Sequence, residues 1–139
     1  MIEKKGSAKW SGGLKDGKGS VSTETGVLDN EHYSFAKRFE NEPGTNPEEL
    51  LAAAHAACFS MALSNVLGSA GMTAESIETV ATVTLDASVP AITKVHLDLT
   101  ASVTGGDEAA FFEAANGAKE GCPVSKLFNA DITLDAKLV

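Results

Sequence analysis

The stretch Asn46-Pro47-Glu48-Glu49-Leu50-Leu51-Ala52-Ala53-Ala54-His55-Ala56-Ala57-Cys58-Phe59-Ser60-Met61-Ala62-Leu63-Ser64-Asn65-Val66-Leu67 decides how this chain folds. Asn46 is a good N-cap, because its side-chain oxygen can accept from a free amide of the first turn. Pro47 suits the first helical position, where no amide donor is needed, and Glu49 stands three residues past the cap, as in a capping box. The spacing predicts a helix from Pro47 to about Leu67, closed by Gly68-Ser69-Ala70-Gly71. From Leu50 to Val66 it is apolar nearly all round, rich in alanine and uncharged after Glu49. Such a helix belongs in the middle of a protein. At about 30 Å it is more than a single domain of this size easily surrounds. A dimer that buries it from both sides solves the problem.

Outward from that helix the pattern changes period. Upstream, residues 3–10 and 18–24 read as strands, separated by the turn chemistry of Ser11-Gly12-Gly13 and Lys15-Asp16-Gly17. Residues 26–40 continue as extended chain, less regularly, through Phe35-Ala36-Lys37-Arg38-Phe39, and Glu42-Pro43-Gly44-Thr45 is a loop. Downstream, Ile77, Thr79, Ala81, Val83 and Leu85 alternate, and Val95, Leu97, Leu99, Ala101 and Val103 do so opposite Lys94, His96, Asp98 and Thr100. Ser88-Val89-Pro90 separates these two strands. Asp107 caps a second helix through Ala118, Gly121 ends it, and Cys122-Pro123 opens a short helical turn through Phe128. Ile132, Leu134, Ala136 and Leu138 mark a last strand. The class is α+β, with mostly antiparallel strands and a buried helix, in a single domain of residues 1–139.

Nineteen acidic against eleven basic residues give a net charge of −8. That field repels phosphate backbones and anionic lipid, so neither nucleic acid nor a membrane surface is the expected partner. Five of the eleven basic residues lie before residue 19, but Glu3 and Asp16 dilute them into a solvated face. The first residues carry no apolar signal core, and Leu50–Leu63, broken by His55 and Ser60, reads as too short to span a bilayer. A cytoplasmic protein is expected. In that compartment two cysteines are no disulfide framework, and Cys58 and Cys122 have no CxxC partners for a zinc knuckle. They are a pair of inert buried thiols or a redox pair.

Local physics favours Cys122 as the thiolate, because it opens a turn with free amides, whereas an apolar helix interior raises the pKa of Cys58. Arg38 is the one arginine in the chain, and arginine is the cation that holds a carboxylate or steadies a thiolate through a planar fork. A surface strand residue is the ordinary alternative. Acids such as Glu48 and Glu49 favour a helix's first turn whatever the function, and with Glu49 in the capping box Glu48 is left to point elsewhere. His55 lies three residues before Cys58 on one helix face. It could activate a thiolate, although a packed core histidine is the commoner case. His32 and His96 fit no metal-ligand spacing with it, and no GxGxxG, P-loop, HExxH or GxSxG signature is present.

Arg38-Phe39-Glu40 followed by Gly44-Thr45-Asn46-Pro47-Glu48-Glu49-Leu50 and the Ala-Ala-Cys-Phe run at 56–59, together with Gly121-Cys122-Pro123-Val124-Ser125 and Ile132-Thr133-Leu134-Asp135, resembles the OsmC/Ohr family of hydroperoxide-reducing proteins. The likeness extends to Lys4-Lys5-Gly6 and Gly17-Lys18-Gly19 and so covers essentially the whole chain, and His55 sides with the OsmC branch. It implies an intertwined homodimer with the long helices buried centrally and two sites at the interface. In it Cys58 is the peroxidatic thiol and Cys122 the resolving one. Arg38 holds the Cys58 thiolate and is oriented by Glu48, so the resemblance overrules the local preference for Cys122. Glu48 and Cys58 are separated by about 15 Å of straight helix, so either Glu48 comes from the partner subunit or Arg38 relays the contact, and the former, with each site drawing on both chains, is expected. The family implies an external dithiol as reductant, a dihydrolipoyl group being the natural candidate, with no metal, flavin or haem. Apolar walls at Phe59, Met61 and Phe39 would favour organic hydroperoxides over hydrogen peroxide, in defence against oxidative or osmotic stress. Two other readings of the residues are a thiol redox sensor and a dimer that stores a hydrophobic ligand.

Overall fold

In the computed structural model, which describes residues 1–139, β1 (Gly6–Ser11) and β2 (Lys18–Thr23) pair antiparallel from Gly6↔Thr23 to Ser11↔Lys18. The short β3 (Glu31–Tyr33) adds antiparallel to β2, with Gly19 opposite Tyr33. Trp10 and Tyr33 close over Gly19, their ring centroids 5.6 Å apart, and a Cβ there would sit 2.6 Å from both rings. Residues 35–39, expected to be extended, instead form the helix α1 (Phe35–Phe39). Ser34 caps it by accepting from the Lys37 amide, and a single turn of this length is too short for helical periodicity to show in the sequence.

α2 (Pro47–Ser69) begins as its sequence demands. The Asn46 side-chain oxygen accepts from the Glu49 amide at 2.8 Å. It ends where the Met72 amide reaches back to the Leu67 carbonyl at 2.9 Å, around Gly71 in the left-handed conformation (φ 77°). The chain falls into two compact units, residues 1–50 and 51–139, and the boundary lies inside α2.

The second unit is built on the hairpin of β4 (Thr73–Asp86) and β5 (Ala91–Thr104). β5 pairs in parallel with β6 (Asp131–Leu138), the exception to the antiparallel expectation. Parallel neighbours cannot be joined by a tight turn, and the crossover is supplied by α3 (Glu108–Gly121) and α4 (Pro123–Leu127). Asp107 caps α3 by accepting from the Ala110 amide at 2.8 Å. Val95, Leu97, Leu99 and Ala101 of β5, with Phe111, Ala114, Ala115 and Ala118 of α3, form one core with Phe59, Leu63 and Leu67 of α2.

The buried residues of α2 are His55, Phe59, Leu63 and Leu67, a single stripe at intervals of four. Off this stripe the helix is half-buried or exposed: Met61 is 78% exposed, and only 22% of the most apolar window is buried. By length and composition its 23 residues suffice to cross a membrane, which corrects the expectation that the apolar stretch is too short. Within its unit, however, the helix does the work of a core helix. Ser60 shares a 2.8 Å hydrogen bond with Thr79 of β4, and its stripe fills the core just described.

Candidate active site

α2 carries Cys58 at its midpoint, and Cys122 is both the last cap of α3 and the first of α4. Sequence separation hides their proximity: 64 residues apart, the two free thiols meet with the Cys122 S–H donating to the Cys58 sulfur at 2.8 Å. Their access differs. Cys122 is fully buried, whereas Cys58 is half-buried and lines a groove of about 400 Å³ with Met61, Ala62, Val66, Gly117, Ala118 and Pro123. Burial pushes the Cys58 thiol up from its ordinary value, and Cys122 adds to that, while the Val124 amide at the start of α4 pulls the other way.

The other pair lies in the first unit. Arg38 of α1 donates to the Glu48 carboxylate from Nε at 3.1 and 3.2 Å and from Nη2 at 2.8 Å, the two-pronged geometry of a guanidinium on a carboxylate. The Glu49 amide donates to the Asn46 side chain, and Glu48, which the first-turn argument left to point elsewhere, pairs with Arg38. Arg38 sits on a helix instead of a strand, with its guanidinium 5.2 Å from the Phe39 ring. Trp10, Leu14, Tyr33 and Phe35 line the shallow pocket beside it. The four expected site residues are thus gathered into two pairs, one in each unit.

One expectation changes, and the commoner reading of His55, a packed core histidine, holds. Phe59 lines no pocket, because its position on α2 turns it into the core at 0% exposure. His55 does not contact the thiol. It is fully buried, its Nε2 is 2.7 Å from the Ser125 hydroxyl of α4, and its ring meets Phe128 edge-on at 5.3 Å. Burial holds its pKa below the ordinary histidine value. Ser125 went unread in the sequence; its signal is the mirrored spacing, three residues after Cys122 as His55 is three before Cys58. On the outer face of the sheet, the parallel register brings Asp135 beside His96 and Asp98, with His96 Nε2 3.0 Å from Asp135 and 3.4 Å from Asp98. The carboxylates are 58% and 80% exposed, so the trio is a solvated sheet face of polar groups.

A thiol that opens on an apolar groove, backed by a second thiol close enough to bond with it, defines a dithiol redox protein: oxidation of the first sulfur can be answered by the second. Residues 39–137 match the family model described as OsmC-like protein, and the chain belongs to that family. It is 55% identical over 139 residues to Peroxiredoxin OsmC of Escherichia coli, spanning 99% of this chain and 97% of that one. It is 34% identical over 122 residues to the organic hydroperoxide resistance protein OhrB of Bacillus subtilis, covering 86% of this chain and 89% of that one. Among solved structures it is similar to an organic hydroperoxide resistance protein OsmC from Legionella pneumophila, with a TM-score of 0.66 and 28% identity over 96% of both chains.

Proposed function

We propose that this protein is a thiol peroxidase that reduces organic hydroperoxides, with Cys58 as the attacking sulfur and Cys122 as the resolving one. The observation that carries this is the 2.8 Å approach of the two sulfurs with Cys58 alone facing the groove. Relatives named for peroxiredoxin activity and organic hydroperoxide resistance support the reaction class. The Cys58 thiolate attacks the distal peroxide oxygen, the O–O bond breaks, and the alcohol leaves with a proton, giving Cys58 sulfenic acid. The Cys122 sulfur then displaces water from it and forms the disulfide. An external dithiol, a dihydrolipoyl group being the natural candidate, reduces the disulfide in two exchanges. The electrons pass between sulfur and oxygen only, so the scheme uses no resident metal, flavin or haem.

Arg38 supplies the cation that the raised Cys58 thiol lacks, and Glu48 orients it. Because about 15 Å of helix separates Glu48 from Cys58, the scheme takes the Arg38–Glu48 pair from a second copy of the chain. The exposed Met61 face of α2 supports such a homodimer. The cytoplasm, whose thiol pools keep free dithiols reduced, is the compartment that suits it.

Consumption of cumene hydroperoxide with excess dihydrolipoamide tests the reading. Multiple turnovers that vanish in Cys58→Ser and collapse in Arg38→Ala are expected. Loss of one equivalent of peroxide without turnover would replace the enzyme with a redox sensor.

A further inference from the structure

His55 and Ser125 repeat, one helical turn away, the bridge made by the two thiols. Cys58 is His55 plus three on α2, and Cys122 is Ser125 minus three at α4, so the same two elements are joined by Cys58–Cys122 and by His55–Ser125. α4 is only five residues long, its cap makes no side-chain hydrogen bond, and Ser125 is its sole buried residue. His55 therefore provides two of the contacts that seat it: the 2.7 Å bond to Ser125 and the edge-on packing of Phe128 at its end. From this geometry we propose that His55 and Ser125 are positioning residues that dock α4 on α2 and so hold the Cys122 sulfur within bonding range of Cys58.

The state of the imidazole follows from its second nitrogen. Nδ1 is buried and without a partner. If Nε2–H donates to Ser125, Nδ1 is a bare lone pair; if Ser125 donates to Nε2, an N–H is buried with no acceptor, which costs more. The Nε2–H tautomer is the one that fits. The groups packed on the ring from α4 and its end are the Ser125 hydroxyl and the Phe128 ring, neither of which stabilises an imidazolium through opposite charge. His55 is thus a neutral donor and not a base for Cys58.

Docking matters because sulfenic acid partitions. Attack by Cys122 gives the disulfide and water. A second hydroperoxide instead transfers one oxygen to the sulfenic sulfur, giving sulfinic acid and alcohol, from which a dithiol cannot recover the enzyme. The more of the time Cys122 is held at Cys58, the higher its effective concentration and the more often the first route wins.

The inference rests on the dithiol reading of the site, and its first test does not require peroxidase turnover. The purified chain is equilibrated with reduced and oxidised dithiothreitol, and the disulfide fraction is measured by thiol alkylation and mass. Ser125→Ala is expected to lower the equilibrium constant for the Cys58–Cys122 disulfide about tenfold, a rise in potential of about 30 mV. His55→Leu should shift it in the same direction, and Ser125→Thr, which keeps the hydroxyl, should restore it. In cumene hydroperoxide, Ser125→Ala should gain the 32 Da of sulfinic acid in fewer turnovers than wild type. Potentials for Ser125→Ala and His55→Leu equal to wild type would overturn the inference. If wild type fails to turn over but these potentials shift, the peroxidase reading falls and the positioning role stands.

Discussion

Replacing Glu48 by glutamine keeps the planar head of the side chain and removes the charge that fixes Arg38. Three donor–acceptor contacts of 2.8 to 3.2 Å hold the guanidinium to that carboxylate. Hydrogen bonds between charged partners contribute about 1.5–3 kcal/mol. The Arg38 side chain is 39% exposed, so solvent screening puts the expected value near the lower end, at about 1.5 kcal/mol. That energy is what keeps Arg38 in place ahead of the transition state, and without it Glu48→Gln should react with cumene hydroperoxide about tenfold more slowly. Arg38→Ala removes the cation itself and should cost about 100-fold or more, the range seen when one stabilising donor is deleted. The double variant should be no slower than Arg38→Ala, since Glu48 then has nothing left to orient. Initial rates with excess dihydrolipoamide, over a range of peroxide concentrations, give all four values. Additive losses, or a Glu48→Gln rate within twofold of wild type, would refute the reasoning. A lowered melting temperature with unchanged kcat/KM would confine the pair to stability.

Cys122→Ser should still consume the first equivalent of peroxide but form no intramolecular disulfide, which non-reducing electrophoresis and mass after a peroxide pulse will show. Met61→Arg places a charge on the exposed face of α2, where Met61 is 78% exposed; wild type is expected to run as the proposed homodimer in size exclusion and the variant as monomer, with an intact circular dichroism spectrum. An unchanged dimer would remove that face from the interface. Because burial holds the His55 pKa below the ordinary value, the unfolded chain takes up this proton first as pH falls. Its contribution to stability is therefore complete above about pH 6.5 and declines below it until the folded-state pKa is passed. Denaturation of wild type beside His55→Gln should show this slope only in wild type.

The sequence was most readable where a local rule acts alone. The Asn46 and Asp107 caps, the Gly71 closure of α2 and the alternation from Val95 to Ala101 each depend on a few adjacent residues, and each stands as read. α1 was missed because five residues offer no period to detect, and the parallel β6 because a strand's alternation is the same in either direction. At the site, motif resemblance singled out Cys58, Cys122, Arg38 and Glu48, but composition and spacing reached only a possible thiol pair. The His55–Ser125 contact spans 70 residues, and its mirrored spacing about the two cysteines is legible only once Cys58 and Cys122 are known to meet. Phe59 was assigned to a pocket wall because an apolar helix gives no hint of which face meets the core, and the stripe of four was set by β5 and α3.

The environment of Cys58 sets a requirement that the role proposed for Arg38 would meet. Burial and the neighbouring thiol raise its pKa, and the Val124 amide is the one influence that lowers it. A thiol above its ordinary value is mostly protonated at neutral pH and slow toward peroxide, so catalysis needs a cation brought to the sulfur. The guanidinium commits Nε and Nη2 to Glu48 and keeps Nη1 for other work. A fork can thus be anchored on one edge and present a donor on another, which a lysine ammonium on a flexible stem cannot do in a fixed geometry. Arg38→Lys preserves the charge and should still lose about tenfold or more in kcat/KM, with the pH of half-maximal rate moved upward as the thiolate loses its fixed donor. Rates near wild type, with an unmoved pH profile, would mean that any positive charge suffices and that the Glu48 anchor is dispensable.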